Sequence, residues 1–228
     1  MKKLVFISDT HSSMHEIKIP ECDILFHCGD ATYRGGLQEM EGFIKHFTNN
    51  KAKERVFVAG NHDKGLSSMF PEEMRITLRD KLSKAGIIYL EHEARDVQGL
   101  KVFGSPYSPQ FGEWGFQYLR GSDKWGDIPE GLDILITHGP PFSIMDKNHR
   151  NWPCGCEHLF NHVMKKQPRI HAFGHIHEGY GTHSFNNTRF INASCLDEMY
   201  DAVNQPIVVE YDEVERKVVD VYEANKES

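Results

Sequence analysis

Five short polar clusters bring metal-binding side-chain types together: Asp9-Thr10-His11, Gly29-Asp30, Gly60-Asn61-His62-Asp63, His138 within Thr-His-Gly-Pro-Pro, and Gly174-His175-Ile176-His177. Between them they offer carboxylate oxygens, imidazole nitrogens and an amide oxygen. A mixed shell of this kind suits manganese, iron, cobalt or zinc, whereas magnesium and calcium favour oxygen alone. Taken singly, a D-x-H or H-x-H is weak, since most are surface residues or satisfied core residues. Histidine abundance decides little. Only five of the 14 histidines fall in the clusters, and the other nine, His46, His92 and His162 among them, read as helix or loop surface. What chance does not readily supply is the whole ordered set.

Each cluster closes an apolar run. "LVFIS", "ILFHCG", "RVFVAG", "DILITHGPP" and "IHAFGHIH" read as strands buried on both sheet faces, and each delivers its polar side chains at the C-terminal end, where open α/β sheets place their ligand sites. His138 thus ends a strand because it faces a shared site, and the prolines after it stiffen the turn. Between the second and third strands Leu37, Met40, Phe43, Ile44 and Phe47 form a helical stripe. A second helix follows "FPEEM" and runs to Gly86, and a third lies around "CEHLFNHVMKK". "ARDVQGLKVFGSP" reads as a hairpin; "HSF" and "RFINAS" flank Asn186 and Asn187, and "PIVVEYD" and "KVVDVY" alternate as late antiparallel strands. The stretch "SPYSPQFGEWGFQYLRGSDKWGD" is a loop long enough to carry function.

Composition sets outer limits. A chain of 228 residues, 39% of them hydrophobic, can build one sizeable core, and residues 1–228 read as a single α/β domain. The formal net charge of −7 argues against an extended nucleic-acid surface, although a local anion site is compatible with it. "MKKLVFISD" lacks the apolar core of a signal peptide, and no run approaches a membrane span, so a soluble cytoplasmic protein is expected. Five cysteines then read as reduced thiols, and Cys154-x-Cys156 is not a zinc-ribbon spacing.

In their order the clusters resemble those of the calcineurin-like metallophosphoesterases. The stretches "EWGFQYLRG", "DKWGDIPEGLDILITHGPP", "GHIHEGYG" and "INAS" are similar to the branch called metallophosphoesterase-domain-containing proteins, so the resemblance covers most of the chain. It implies two stacked mixed β-sheets flanked by helices, a four-layer sandwich. It implies further that Asp9, His11, Asp30 and His177 hold one divalent ion and Asp30, Asn61, His138 and His175 another, with Asp30 bridging. Manganese stands first, with iron, cobalt, nickel or zinc as alternatives. The segment "GDATYRG" departs from the G-D-x-x-D-R-G of the protein phosphatases by placing Tyr33 at the second aspartate, which argues against a serine/threonine protein phosphatase. His175, absent from some poorly active members of the branch, is present.

The residue types suit such a centre. Two divalent ions about 4 Å apart repel, and a bridging carboxylate and hydroxide relieve that repulsion. Only two of the seven side chains are carboxylates, so the centre keeps positive charge for a phosphate. The mechanism expected is in-line attack on phosphorus by the metal-bridging hydroxide, with His62 protonating the leaving oxygen. Asp63 either orients His62 or caps the following turn. Arg34 either contacts phosphate or is a solvated turn residue. Trp114 and Phe116 either stack on a base or pack under the loop, and Tyr180 is a further candidate wall. The resemblance points to cyclic nucleotide diesters, 2',3' and 3',5', as substrates, with Asn61 and His62 also touching substrate. Two alternatives stand beside it: a nuclease or broad phosphomonoesterase on the same metals, and a non-catalytic nucleotide-binding regulator. The oligomeric state is not readable from the sequence.

Overall fold

The computed structural model describes residues 1–224. The first half of the chain forms β1 (Lys2–Ile7), β2 (Ile24–His27), α1 (Leu37–Thr48), β3 (Glu54–Val58), α2 (Glu72–Lys84), β4 (Ile87–Leu90), β5 (Glu93–Val97) and β6 (Leu100–Ser105). Then come β7 (Ser108–Pro109), β8 (Gln117–Tyr118), β9 (Ile134–Thr137), α3 (Glu157–Lys166), β10 (Ile170–Phe173), β11 (Gly181–Phe185), β12 (Thr188–Asn192), β13 (Ile207–Asp212) and β14 (Lys217–Glu223). Two large sheets result, ordered β14-β13-β1-β2-β3-β4 and β11-β12-β10-β9-β6-β5. Each has parallel inner strands and antiparallel additions, so both are mixed.

The period of two along each strand explains the layering. Leu4 and Phe6 of β1 point into a core shared with Val102, Ile134, Ile170 and Ile191 of the other sheet. Their neighbours Val5 and Ile7 point the other way, against Met40, Phe43 and Phe47 of α1 and Leu78 and Leu82 of α2. On the far side Leu135, Phe173 and Phe190 pack on Leu159 and Val163 of α3. Helices, two sheets and a helix therefore stack as four layers, as expected. Within the Cys-x-Cys pair Cys156 is structural: it caps α3 by accepting from Leu159 N and contacts Tyr118 and Trp125. All five cysteines are free, and no described helix is long and apolar enough to cross a membrane.

Two strand histidines depart from the surface reading given to histidines outside the clusters. His27 and His171 are fully buried. His27 accepts at Nδ1 from Gly29 N, which puts its proton on Nε2, 2.9 Å from Thr10 Oγ1. Thr137 Oγ1 donates to Gly139 O, so it accepts from His171 Nε2 at 2.8 Å. Burial holds both imidazoles neutral, lowering their pKa to about 3. Each thereby fixes the threonine just before a cluster histidine.

Candidate metal centre

The strand ends bend abruptly where the clusters begin. Asp9 (φ 51°), His11 (φ 37°), Asp30 (φ 55°) and His175 (φ 70°) all have left-handed backbones. Each such residue costs on the order of 1–2 kcal/mol and persists only where its surroundings over-determine it. Here the determinants are visible. Asp9 accepts from His175 N at 2.9 Å and from Ser194 Oγ at 2.9 Å, and Asp30 accepts from His62 N at 2.7 Å. A bridge between Ser8 and Ser194 joins the two sheets beside them. Gly60 and Gly174 admit this closeness: a Cβ on the first would collide with Asp30, and on the second with Asp9.

The side chains converge as two linked groups. Donor atoms of Asp9, His11 and His177 lie within 4.8 Å of one another, as do those of Asp30, His138 and His175. His11 Nε2 stands 3.8 Å from Asp30 Oδ2 and connects the groups, and a third set joins His11, Asp30 and His62. Asn61 presents Oδ1 2.9 Å from His138 Nε2. All seven side chains expected as ligands, Asp9, His11, Asp30, Asn61, His138, His175 and His177, thus meet at one place, delivered by β1, β2, β3, β9 and β10.

Whether the cluster suits cations is tested by its unmet polar atoms. Both ring nitrogens of His11 are buried and have no hydrogen-bond partner. His138 donates from Nδ1 to Cys28 O, so Nε2 is the nitrogen turned toward Asn61 Oδ1 and Asp30 Oδ2. In the same way His177 donates from Nδ1 to Asp197 O and turns Nε2 toward Asp9. A neutral imidazole lone pair aimed at oxygens is repulsive unless a proton or a cation lies between them. Burial alone would raise the carboxyls of Asp9 and Asp30. The facing imidazoles of His177 and His138 outweigh it and hold both well below the usual carboxylate range. Burial would likewise lower His138 and His177, but the carboxylates push both up to about 9. For His11 and His175 burial outweighs the pull of the same carboxylates and lowers them to about 4 and 3. The donor set fits divalent cations.

The remaining candidates separate. His62 donates from Nδ1 to Tyr33 O at 2.8 Å and stacks on Trp114, with ring centroids 4.3 Å apart. Lys64 Nζ lies 3.9 Å from the same Trp114 ring centroid, so that ring supports His62 and is not a free stacking surface. Phe116 corrects the expectation of a base-stacking wall. It is 8% exposed, packed into the core beside α1 and α2, because the backbone bond from Gly115 N to Asn61 O draws the loop inward. Tyr180 is corrected likewise: it packs on the core between the sheets and donates to Gln205 O. Asp63 neither orients the His62 ring nor caps a turn. Its buried carboxylate accepts from Ala31 N, Thr32 N, Thr32 Oγ1 and Gly60 N, tying the Asp30 loop to the Asn61 loop. Burial, then Asp30, pushes its pKa up to about 6. Arg34 is exposed, and among the described residues its guanidinium makes no hydrogen bond or ion pair.

Sequence reasoning missed the aromatic rim. Tyr200 packs 4.8 Å from His11 and 5.3 Å from His177, Tyr33 lies 5.7 Å from Tyr200, and Phe111 lies 5.2 Å from His175. Tyr200, Tyr33 and Phe111 are 42%, 45% and 55% exposed, which leaves ring faces free for a ligand. Tyr33 was visible in "GDATYRG" only as a departure, and nothing local marked Tyr200.

A family model described as calcineurin-like phosphoesterase matches residues 2–179. "Metallophosphoesterase domain-containing protein 1" of Homo sapiens is 36% identical over 232 residues, covering 91% of this chain and 70% of that protein. Among solved structures, TT1561 of Thermus thermophilus superposes with a TM-score of 0.62 at 10% identity, covering 97% of this chain and 98% of the other. Phosphopantetheinyl hydrolase from Mycobacterium tuberculosis gives 0.58 at 14% identity, over 84% and 88% of the two chains. At such low identity the likeness to these two establishes the shared fold.

Proposed function

This chain belongs to the calcineurin-like phosphoesterase family, and from that premise we propose that it is a phosphodiesterase working with two divalent cations on small or cyclic nucleotides, 2',3' or 3',5'. The observation that carries the reading is the meeting of two carboxylates, four imidazoles and an amide from five strand ends, with both nitrogens of His11 lacking partners. Asp9, His11, Asp30 and His177 would hold one cation, and Asp30, Asn61, His138 and His175 the other. Manganese leads, followed by iron, cobalt, nickel and zinc. When bound, such cations supply Lewis acidity toward water and phosphoryl oxygens.

The chain's own residues supply position and protons. With Nδ1 of His62 committed to Tyr33 O, Nε2 is the atom left to hold a proton and deliver it to a leaving oxygen. Trp114 keeps that ring in place, and Asp63 keeps the two ligand loops in register. Tyr33, Tyr200 and Phe111 provide the exposed ring faces on which a base can stack, replacing the roles expected of Trp114, Phe116 and Tyr180. Arg34, exposed beside Tyr33, is available to a phosphate. Five free cysteines suit a reducing, cytoplasmic setting for this activity.

The test is hydrolysis by the full chain, metal-stripped and then reloaded with each of the five metals, on cyclic nucleotides, an aryl diester, monoesters and single-stranded DNA. Cyclic nucleotides cleaved about tenfold or more faster than monoesters, only after reloading, is the expected result. Preference for monoesters or for DNA would install one of the other hydrolases instead. Nucleotide binding without turnover on any metal would leave a binding protein.

A further inference from the structure

The net charge of the chain is −7, yet cations gather at one place far from the metal cluster. A cavity of about 260 Å³ is lined by Arg169, Arg189, Arg216 and Lys217, with Asn187 from the turn between β11 and β12. It lies where β10, β12 and β14 begin. The cluster lies beyond the other end of β10, so the length of that strand, about 13 Å, separates the two.

The cavity is built as well as charged. Ile170 pairs in register with Arg189, whose backbone N–H donates to Arg169 O at 2.9 Å, so Arg169, in the bend just before β10, lies beside Arg189 of β12. Arg216 is pinned by Nε to Asp133 Oδ1 at 2.8 Å and by Nη2 to Gly131 O. Asp133 is buried and also accepts from Tyr211 Oη and Lys101 N, so this wall is held firmly. Asp133 balances Arg216 alone. Among the described residues Arg169, Arg189 and Lys217 have no carboxylate within ion-pair distance, and their charged groups make no hydrogen bond.

Arg169 and Arg189, together with Lys217, which Asp212 offsets in part across the β13–β14 pair, bring like charges to one concavity, and an anion between them relieves their repulsion. Arginine forks match the oxygens of a phosphate, and the Asn187 amide adds a neutral donor. The volume lies below the roughly 300–1,000 Å³ usual for drug-sized ligands. We propose that this cavity is an anion site for a compact ligand carrying one or two phosphate groups, whether inorganic or on a small metabolite.

Calorimetric titration of the metal-stripped full chain tests this without interference from bound metal. Orthophosphate, pyrophosphate and a sugar monophosphate are the probes, and their ranking separates the inorganic source from the metabolite. Saturable binding of at least one probe is expected, weakening as salt is raised. The double variant Arg169→Gln/Arg189→Gln should lose about tenfold or more in affinity, while Lys84→Gln, an exposed cation outside both sites, should lose none. Both side chains lack partners, so the thermal midpoint of the double variant should stay within about 2 °C of the parent. Should that variant fail to fold, the exposed Lys217→Gln should still weaken binding by about threefold or more. Absence of binding, binding that survives loss of both arginines, or binding abolished by Lys84→Gln would each overturn the assignment.

Discussion

The packing around Asp30 predicts a sharp difference between two glycine-to-alanine substitutions. Gly60 does not use a backbone conformation that only glycine favours, so Gly60→Ala acts through the added methyl alone. A Cβ there would lie 2.7 Å from Cε1 of His138, and closer still to the backbone nitrogen and Oδ1 of Asp30. Ordinary contact begins at 3.4 Å. His138 must therefore retreat by about 0.7 Å and Asp30 by more, yet both are buried among the other donors. Overpacking of this kind costs about 1–3 kcal/mol, and each kcal/mol lowers the thermal midpoint by about 2–4 °C in a chain of this length. Displacing reacting groups by about 1 Å costs on the order of a hundredfold in rate. Gly42, in the middle of α1, has no atom within 4 Å of its would-be Cβ. Gly42→Ala should stabilise by about 0.8–1 kcal/mol through helix propensity and leave activity unchanged. Thermal denaturation with and without metal, bound metal by elemental analysis, and turnover of an aryl diester would compare the two. If Gly60→Ala kept its full complement of metal and turned over within about threefold of the parent, the identification of this cluster as the working centre would be wrong.

Other outcomes follow from the same geometry. Metal uptake should release protons, because His138 and His177 hold theirs up to about 9 in the metal-free chain and must lose them to ligate. Apparent affinity should then rise from about pH 6 to 9, as titrations in buffers of different ionisation heat would show; uptake that moved no protons would refute it. The same raised values give the metal-free fold a stabilisation that is complete below the unfolded value of about 6.5 and is lost as pH rises through about 9. His62→Asn should slow esters with poor leaving groups far more than activated aryl esters, and equal slowing of both would remove its role as proton donor. Trp114→Ala should lower kcat on poor leaving groups by roughly 2- to 10-fold, the worth of one ring stack, and leave KM for nucleotides unchanged. A rise in KM without loss of kcat would return that ring to the substrate.

The sequence by itself determined the strands and the residues they deliver. Each cluster from Asp9 to His177 ends an apolar run, and a strand read at period two says on which end and face its neighbours lie. Side-chain direction in the loops was decided only by tertiary contacts. Phe111 and Phe116 sit in one irregular stretch, and no period distinguishes them; the bond from Gly115 to Asn61 buries one and leaves the other at the rim. Tyr200 reaches His11 across nearly the whole chain length. Asp63 looked local to His62, yet its carboxylate serves the backbone of Ala31 and Thr32 on another loop. His27 and His171 look polar in composition, but the burial of the strands that carry them makes them neutral supports for Thr10 and Thr137. Regular elements write their facing direction into a local pattern, whereas a loop or a buried polar group takes its partners from segments distant in the chain.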